Sequence, residues 1–119
     1  MKWILVFVGG GAGSALRLAI SLAAGNVWRA FPWGTLVANL MATTLLGLLF
    51  SMRQGREPDS SWWLVAVGFC GGLSTFSAFS LETAQLMRDG HLGYAVANVL
   101  LSSATCLLLA WWLSVPARV

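Results

Sequence analysis

Charge is what this sequence has least of. Asp, Glu, Lys and Arg make up 9% of its 119 residues, only four of them acids, against 58% hydrophobic residues. A soluble globular domain carries about a quarter charged residues, so the composition points to an integral membrane protein instead. The one histidine, His91, has no metal-ligand partner in the sequence and reads as a loop residue. No carboxylate pair, metal cluster or nucleophile beside a base is present, which leaves an enzyme with the least support. The net charge of +3 is modest and the basic residues stand mainly at the ends of apolar runs, where interfacial anchoring accounts for them. Nothing indicates a nucleic-acid partner. The two cysteines, Cys70 and Cys106, lie in apolar segments without zinc or disulfide-framework spacing and read as buried thiols.

What is abundant is apolar sequence in four runs, over residues 3–24, 34–52, 62–87 and 92–114. At about 1.5 Å per residue each run is long enough to cross a hydrocarbon core of about 30 Å. They predict one all-α membrane domain of four transmembrane helices over residues 1–119. The start, with Lys2 before a short apolar stretch, is signal-peptide-like, but the apolarity continues through Ala24 and makes a full span. Trp3, Trp28, Trp33, Trp62, Trp63, Trp111 and Trp112 cluster near run ends, where amphipathic rings sit at headgroup level. Residues 25–33 form a short connection, Gly55 and Pro58 supply turn chemistry to a loop from Arg53 to Ser61, Arg88 to His91 make a tight turn, and Pro116 and Arg118 end the chain.

The polar residues within the spans carry the functional information. Gly9 to Gly13 is no phosphate loop, since neither a preceding strand nor a following Lys-Ser/Thr is present. The Gly9/Gly13 spacing instead predicts close helix packing. Arg17 is costly inside a membrane; it either snorkels and ties down nearby carbonyls or forms an electropositive vestibule. Thr35 and Asn39, four residues apart, share a helix face, where the Asn39 amide serves either as helix glue or as an anion donor. Glu82, the acid within a span, needs a partner or water. Asn98, Ser102 and Thr105 or Cys106 form a polar stripe on the fourth span.

Gly68 to Ser80 is the centre of the chain. Gly71 and Gly72 weaken the helix, and Ser74, Thr75, Ser77 and Ser80 follow, so the backbone is expected to leave helical geometry and free some of its polar groups. Freed carbonyls point at cations and helix N-termini favour anions. Phe76 and Phe79, three apart, share a face and either pack or offer positive ring edges to an anion.

With four spans, Lys2, Arg53, Arg56 and Arg118 fall on one side of the membrane and Arg29 and Arg88 on the other, joined there by Arg17 if it snorkels, so four against two or three is a weak bias under the positive-inside rule. The chain is therefore expected to insert both ways and to pair as an antiparallel homodimer, since so small a protomer has little interior for a polar path.

Together, Gly9-Gly10 with Gly13 and Arg17, Gly34 to Asn39, and Gly71 to Ser80 resemble the bacterial CrcB/Fluc fluoride channels, and the resemblance spans nearly the whole chain. It implies a passive fluoride exporter of the bacterial inner membrane: a dual-topology antiparallel dimer of four-helix subunits, with a broken third helix, two fluoride pathways and a structural sodium ion. The sodium would rest on the carbonyls of Gly71 and Ser74. Fluoride would meet Phe76 and Phe79, the Asn39 amide, and the hydroxyls of Thr35 and Ser77 leading toward Glu82, with Ser102 contributing from the fourth helix. Arg17 would be structural or part of a vestibule. No organic cofactor is implied. Departures from the family pattern are Ser74 and Ala78, where threonines are usual, and Leu18 and Asn98, where aromatic residues are common. The competing reading is a small multidrug-resistance-type proton-coupled transporter, which wants a carboxylate in the first span, where this chain has Arg17 and no acid. A packing-only membrane subunit would leave the Gly71 to Ser80 stretch unexplained.

Overall fold

A computed structural model describes residues 1–25 and 31–115 of the chain. Residues 26–30 of the expected 25–33 connection, with Trp28 and Arg29, and the terminal Pro116 and Arg118 lie outside the described residues. Helix α1 (Lys2–Gly25) is followed by α2 (Trp33–Met52) and then by a third span in three pieces. These are a π-helical segment (Trp62–Cys70), one further turn α3 (Gly71–Leu73) and α4 (Phe76–Arg88). Helix α5 (Leu92–Ser114) is the last element. Four stretches are long and apolar enough to cross a membrane: Lys2–Gly25, Trp33–Met52, Trp62–Arg88 and Leu92–Ser114.

The turns between them follow local chemistry. Gly55 and Gly90 have φ of +76° and +82°, the left-handed region that a Cβ disfavours. Asp59 organises the loop before the π-helical segment: its carboxylate accepts from the Ser61 hydroxyl at 2.6 Å, the Trp62 N–H at 3.1 Å and the Arg53 guanidinium at 2.8 Å. The same three partners, Ser61 foremost, then Arg53 and Trp62, hold the Asp59 carboxyl well below its ordinary range. His91 is the residue before α5, with its carbonyl accepting the Ala95 N–H.

Helix α1 packs chiefly on the π-helical segment and α3, α2 packs on both α1 and α5, and α4 lies on α5. The α1 contact is backbone against backbone. A Cβ on Gly9 would run into the Leu64 carbonyl, one on Gly13 into the Phe69 carbonyl, and one on Gly72 into the Gly10 carbonyl. The glycines of α1 thus do what their spacing predicts. The sequence expectation for Gly71 and Gly72 needs correction, because both continue the helix and the departure comes later, at Ser74 and Thr75. Gly72 is there for the close approach of α1.

The enclosed core is small: Ala38, Ala42, Cys70 and Leu73, with Leu16, Ile20, Leu45, Val65 and Phe69 packed around them. At 21 Å through its thinnest direction, the molecule is about two helices thick. Large apolar side chains such as Phe7, Leu22, Leu100 and Leu107 therefore face outward, as a bilayer permits.

Candidate functional site

Ser74 (φ −79°, ψ 152°) and Thr75 (φ −153°, ψ 124°) are extended, and two side chains hold them so. Thr75 caps the start of α4, its hydroxyl accepting the Ala78 N–H at 3.1 Å. Asn39, reaching across from α2, brackets the Thr75 backbone: its Oδ1 accepts the Thr75 N–H at 2.8 Å and its Nδ2 donates to the Thr75 carbonyl at 3.3 Å. Of the two roles open to Asn39, the helix-to-helix contact is thus made, and it uses one of the two amide N–H groups. The other remains as a donor.

This bracketing frees two carbonyls. In a continuous helix the Thr75 N–H would serve the Gly71 carbonyl and the Ala78 N–H the Ser74 carbonyl; here they go to Asn39 and to the Thr75 hydroxyl. The carbonyls of Gly71 and Ser74, to which the resemblance assigns sodium, are thus released from helical pairing. Hard carbonyl oxygens suit a hard cation, so the donor set fits. Among the described residues no three His, Cys, Asp or Glu side chains come together.

Next to these carbonyls lies a cavity of about 470 Å³. Six of the sequence-predicted residues line it: Asn39, Gly71, Ser74, Phe76, Phe79 and Ser102. The Phe76 and Phe79 rings have centroids 5.7 Å apart with planes at 38°, and Phe76 is 80% exposed. Ser102 is buried, and its hydroxyl donates to Asn98 Oδ1 at 3.1 Å.

Thr35 and Glu82 sit elsewhere. The buried Thr35 hydroxyl donates to Glu82 Oε1 at 2.8 Å, joining α2 to α4, while Glu82 Oε2 is buried with no partner among the described residues. Both line a second cavity of about 380 Å³ with Ser21, Gln85 and Asp89. Ser77 lines neither cavity; it is exposed, its hydroxyl 3.2 Å from that of Thr75. Arg17 Nε donates to the Gly72 carbonyl at 3.1 Å, the Ser14 hydroxyl adding a longer contact at 3.4 Å. Of its two readings, the structure places Arg17 on a neighbouring carbonyl.

Two participants were not foreseen, and one was foreseen only in part. Thr43 lines the 470 Å³ cavity, and its signal was available, since Thr35, Asn39 and Thr43 recur every four residues on one face of α2. Thr83 receives the Asn98 amide at 2.9 Å, a tertiary pairing with no sequence signal. Cys106, read both as a buried thiol and as a member of the polar stripe on the fourth span, is half-buried and lines the same cavity. Cys70 is buried as expected.

The family model for CrcB-like protein, Camphor Resistance (CrcB), matches residues 4–114. A protein of Escherichia coli O17:K52:H18 named fluoride-specific ion channel FluC is 41% identical over 115 residues, 92% of this chain and 91% of its own length. Proteins of the same name from Serratia proteamaculans and Salmonella arizonae are 44% identical over 108 residues and 40% identical over 115. The first covers 89% of this chain and 85% of its own, the second 92% and 91%. Four long apolar helices in such a family make this a multi-pass membrane protein. By its sequence over nearly its whole length, the chain belongs to the CrcB family.

Proposed function

We propose that this chain is a passive fluoride-selective channel of the bacterial inner membrane and not an enzyme. It works as an antiparallel homodimer of dual topology, a single four-helix domain per subunit, with the third span interrupted inside the membrane at Ser74 and Thr75. The observation that carries this reading is the cavity beside that interruption, where the Asn39 amide, Phe76, Phe79 and the Ser102 hydroxyl meet. Fluoride is small and tightly hydrated, so it trades water for short, neutral hydrogen-bond donors and the positive edges of aromatic rings. Among the described residues no formal positive charge lines this cavity. That suits conduction, which requires binding strong enough to replace hydration yet weak enough for exit.

Each residue has a role in this reading. The free N–H of Asn39 and the hydroxyl of Ser102 donate to the ion in this cavity, Phe76 and Phe79 present ring edges, and Ser77, exposed beside Thr75, donates outside it. Thr35 positions Glu82 at the second cavity, which serves as the polar route beyond the rings. Arg17, held on the Gly72 carbonyl, is structural. The carbonyls of Gly71 and Ser74 from both subunits would hold sodium, which supplies a fixed positive charge where the two interruptions meet. Export follows from the membrane potential: with the cytoplasm negative, an anion is driven outward by about 2.3 kcal/mol per 100 mV.

The test is fluoride release from liposomes containing the purified protein, followed with a fluoride electrode, with a potassium ionophore to balance charge and chloride-loaded vesicles in parallel. Fast, ionophore-dependent release of fluoride without chloride is the expected outcome. Release of neither ion, or of both alike, would overturn the reading.

A further inference from the structure

The buried amide on α5 has a polarity that its neighbours determine. Thr83 Oγ1 donates its one proton to the Phe79 carbonyl at 2.7 Å. Its oxygen is left able only to accept, and it accepts from Asn98 Nδ2 at 2.9 Å. This orients the Asn98 amide with its NH2 group toward α4 and its carbonyl along α5, where Oδ1 accepts the Ser102 hydroxyl at 3.1 Å. Asn98 is 1% exposed and Ser102 7%, so the pair is buried apart from the side of Ser102 that lines the cavity. The result is a directed chain from Ser102 through Asn98 and Thr83 to the backbone of Phe79. Both of its ends, Ser102 and Phe79, line the cavity of about 470 Å³.

A hydroxyl has one proton. While Ser102 gives it to Asn98, the face of Ser102 turned toward the cavity carries only lone pairs, which repel an anion. We infer that Asn98 is a positioning residue of the anion path: it holds the Ser102 proton away from the cavity, and Ser102 donates to a passing ion only by exchanging its bond to Asn98 for one to the ion. The exchange keeps this site weak. An ion gains a donor only as Asn98 loses one, and when the ion leaves, the bond to Asn98 re-forms. The inference rests on the fluoride-channel reading, in which Ser102 faces the ion.

Replacing Asn98 with leucine removes the acceptor at similar size and leaves the Ser102 hydroxyl free to face the cavity. The expected result is a half-saturating fluoride concentration lower by about threefold to tenfold, the worth of one hydrogen bond. It is read from release rates of proteoliposomes loaded over a range of fluoride concentrations. In a Ser102→Ala background the same Asn98→Leu change should shift nothing. A merely structural Asn98 would instead lower the maximal rate or the amount of folded protein and leave half-saturation where it was. Thr83→Val removes only the group that orients the amide and is expected to shift half-saturation in the same direction by less; it decides the matter if Asn98→Leu fails to fold. Unchanged half-saturation in Asn98→Leu, or in Thr83→Val where that variant decides, overturns the inference, as does an equal shift in the Ser102→Ala background. Wild-type vesicles that release no fluoride overturn the channel reading itself, and this inference with it.

Discussion

The two halves of the third span are held in opposite ways. The first half, Trp62 to Leu73, is fastened to α1 by shape: glycines on both sides bring the backbones together, and a Cβ at Gly9, Gly13 or Gly72 would strike a main-chain carbonyl. The second half, α4, is fastened by side-chain hydrogen bonds. Thr35 meets Glu82, Asn39 brackets Thr75, and Thr83 meets Asn98. In a bilayer neither contact gains from a hydrophobic drive, since lipid tails are as apolar as the helix faces, and both rely on packing or polar pairing. The difference teaches where a small membrane protein keeps its frame and where it keeps its site. Backbone-on-backbone packing has one solution and resists change, whereas hydroxyls and amides exchange partners and are able to serve an ion.

Three substitutions put that contrast under strain. The largest effect is expected from Gly13→Val, which pushes a branched side chain into the Phe69 carbonyl and the Leu73 N–H. It should destabilise the fold by about 3 kcal/mol, the upper end of overpacking, and be seen as loss of monodisperse protein in size-exclusion chromatography. A normal profile would mean that the first half is more yielding than its contacts imply. Asn39→Leu comes next: it leaves the Thr75 N–H and carbonyl without their partner, at about 2 kcal/mol. The protein should still purify, but with fluoride release at least about tenfold slower. If this variant instead falls apart as Gly13→Val is expected to, the two halves are not separable.

The smallest effect is expected at Asp59, in the loop outside both halves. Its folded-state pKa lies below the ordinary value of 3.8. Any stability it contributes is therefore present above that value and lost as pH falls below it. Its side chain is 59% exposed, and surface pairs of this kind contribute little. Asp59→Asn should stay close to the wild type in thermal unfolding at neutral pH and lose stability less steeply under acid. A clear loss at neutral pH would show that the loop, and not the two packed halves, anchors the third span.

Much of this was legible in the sequence. The apolar runs named the four helices because a bilayer demands continuous apolar length of its spans. Gly9 and Gly13 foretold close packing, because spacing by four places small residues on one face. Thr35 and Asn39 likewise announced a shared face. Their partners were not legible: Glu82 lies 47 residues from Thr35 and Thr75 lies 36 from Asn39, and no local pattern encodes which residue a side chain meets across a helix pair.

By itself, then, the sequence determined that this is a membrane protein of four helices with its polar chemistry gathered between Gly71 and Ser80, because length, apolarity and spacing are properties of a chain read locally. Only the tertiary structure decided that the extended residues are Ser74 and Thr75 and that Gly71 and Gly72 stay helical. Where a helix yields depends less on the weakness of its residues than on which outside group takes over its hydrogen bonds. Asn39, brought up by α2, takes over the bond at Thr75. The direction in which Ser102 points its proton was decided the same way, by an amide on its own helix that a threonine on the neighbouring helix holds in one orientation.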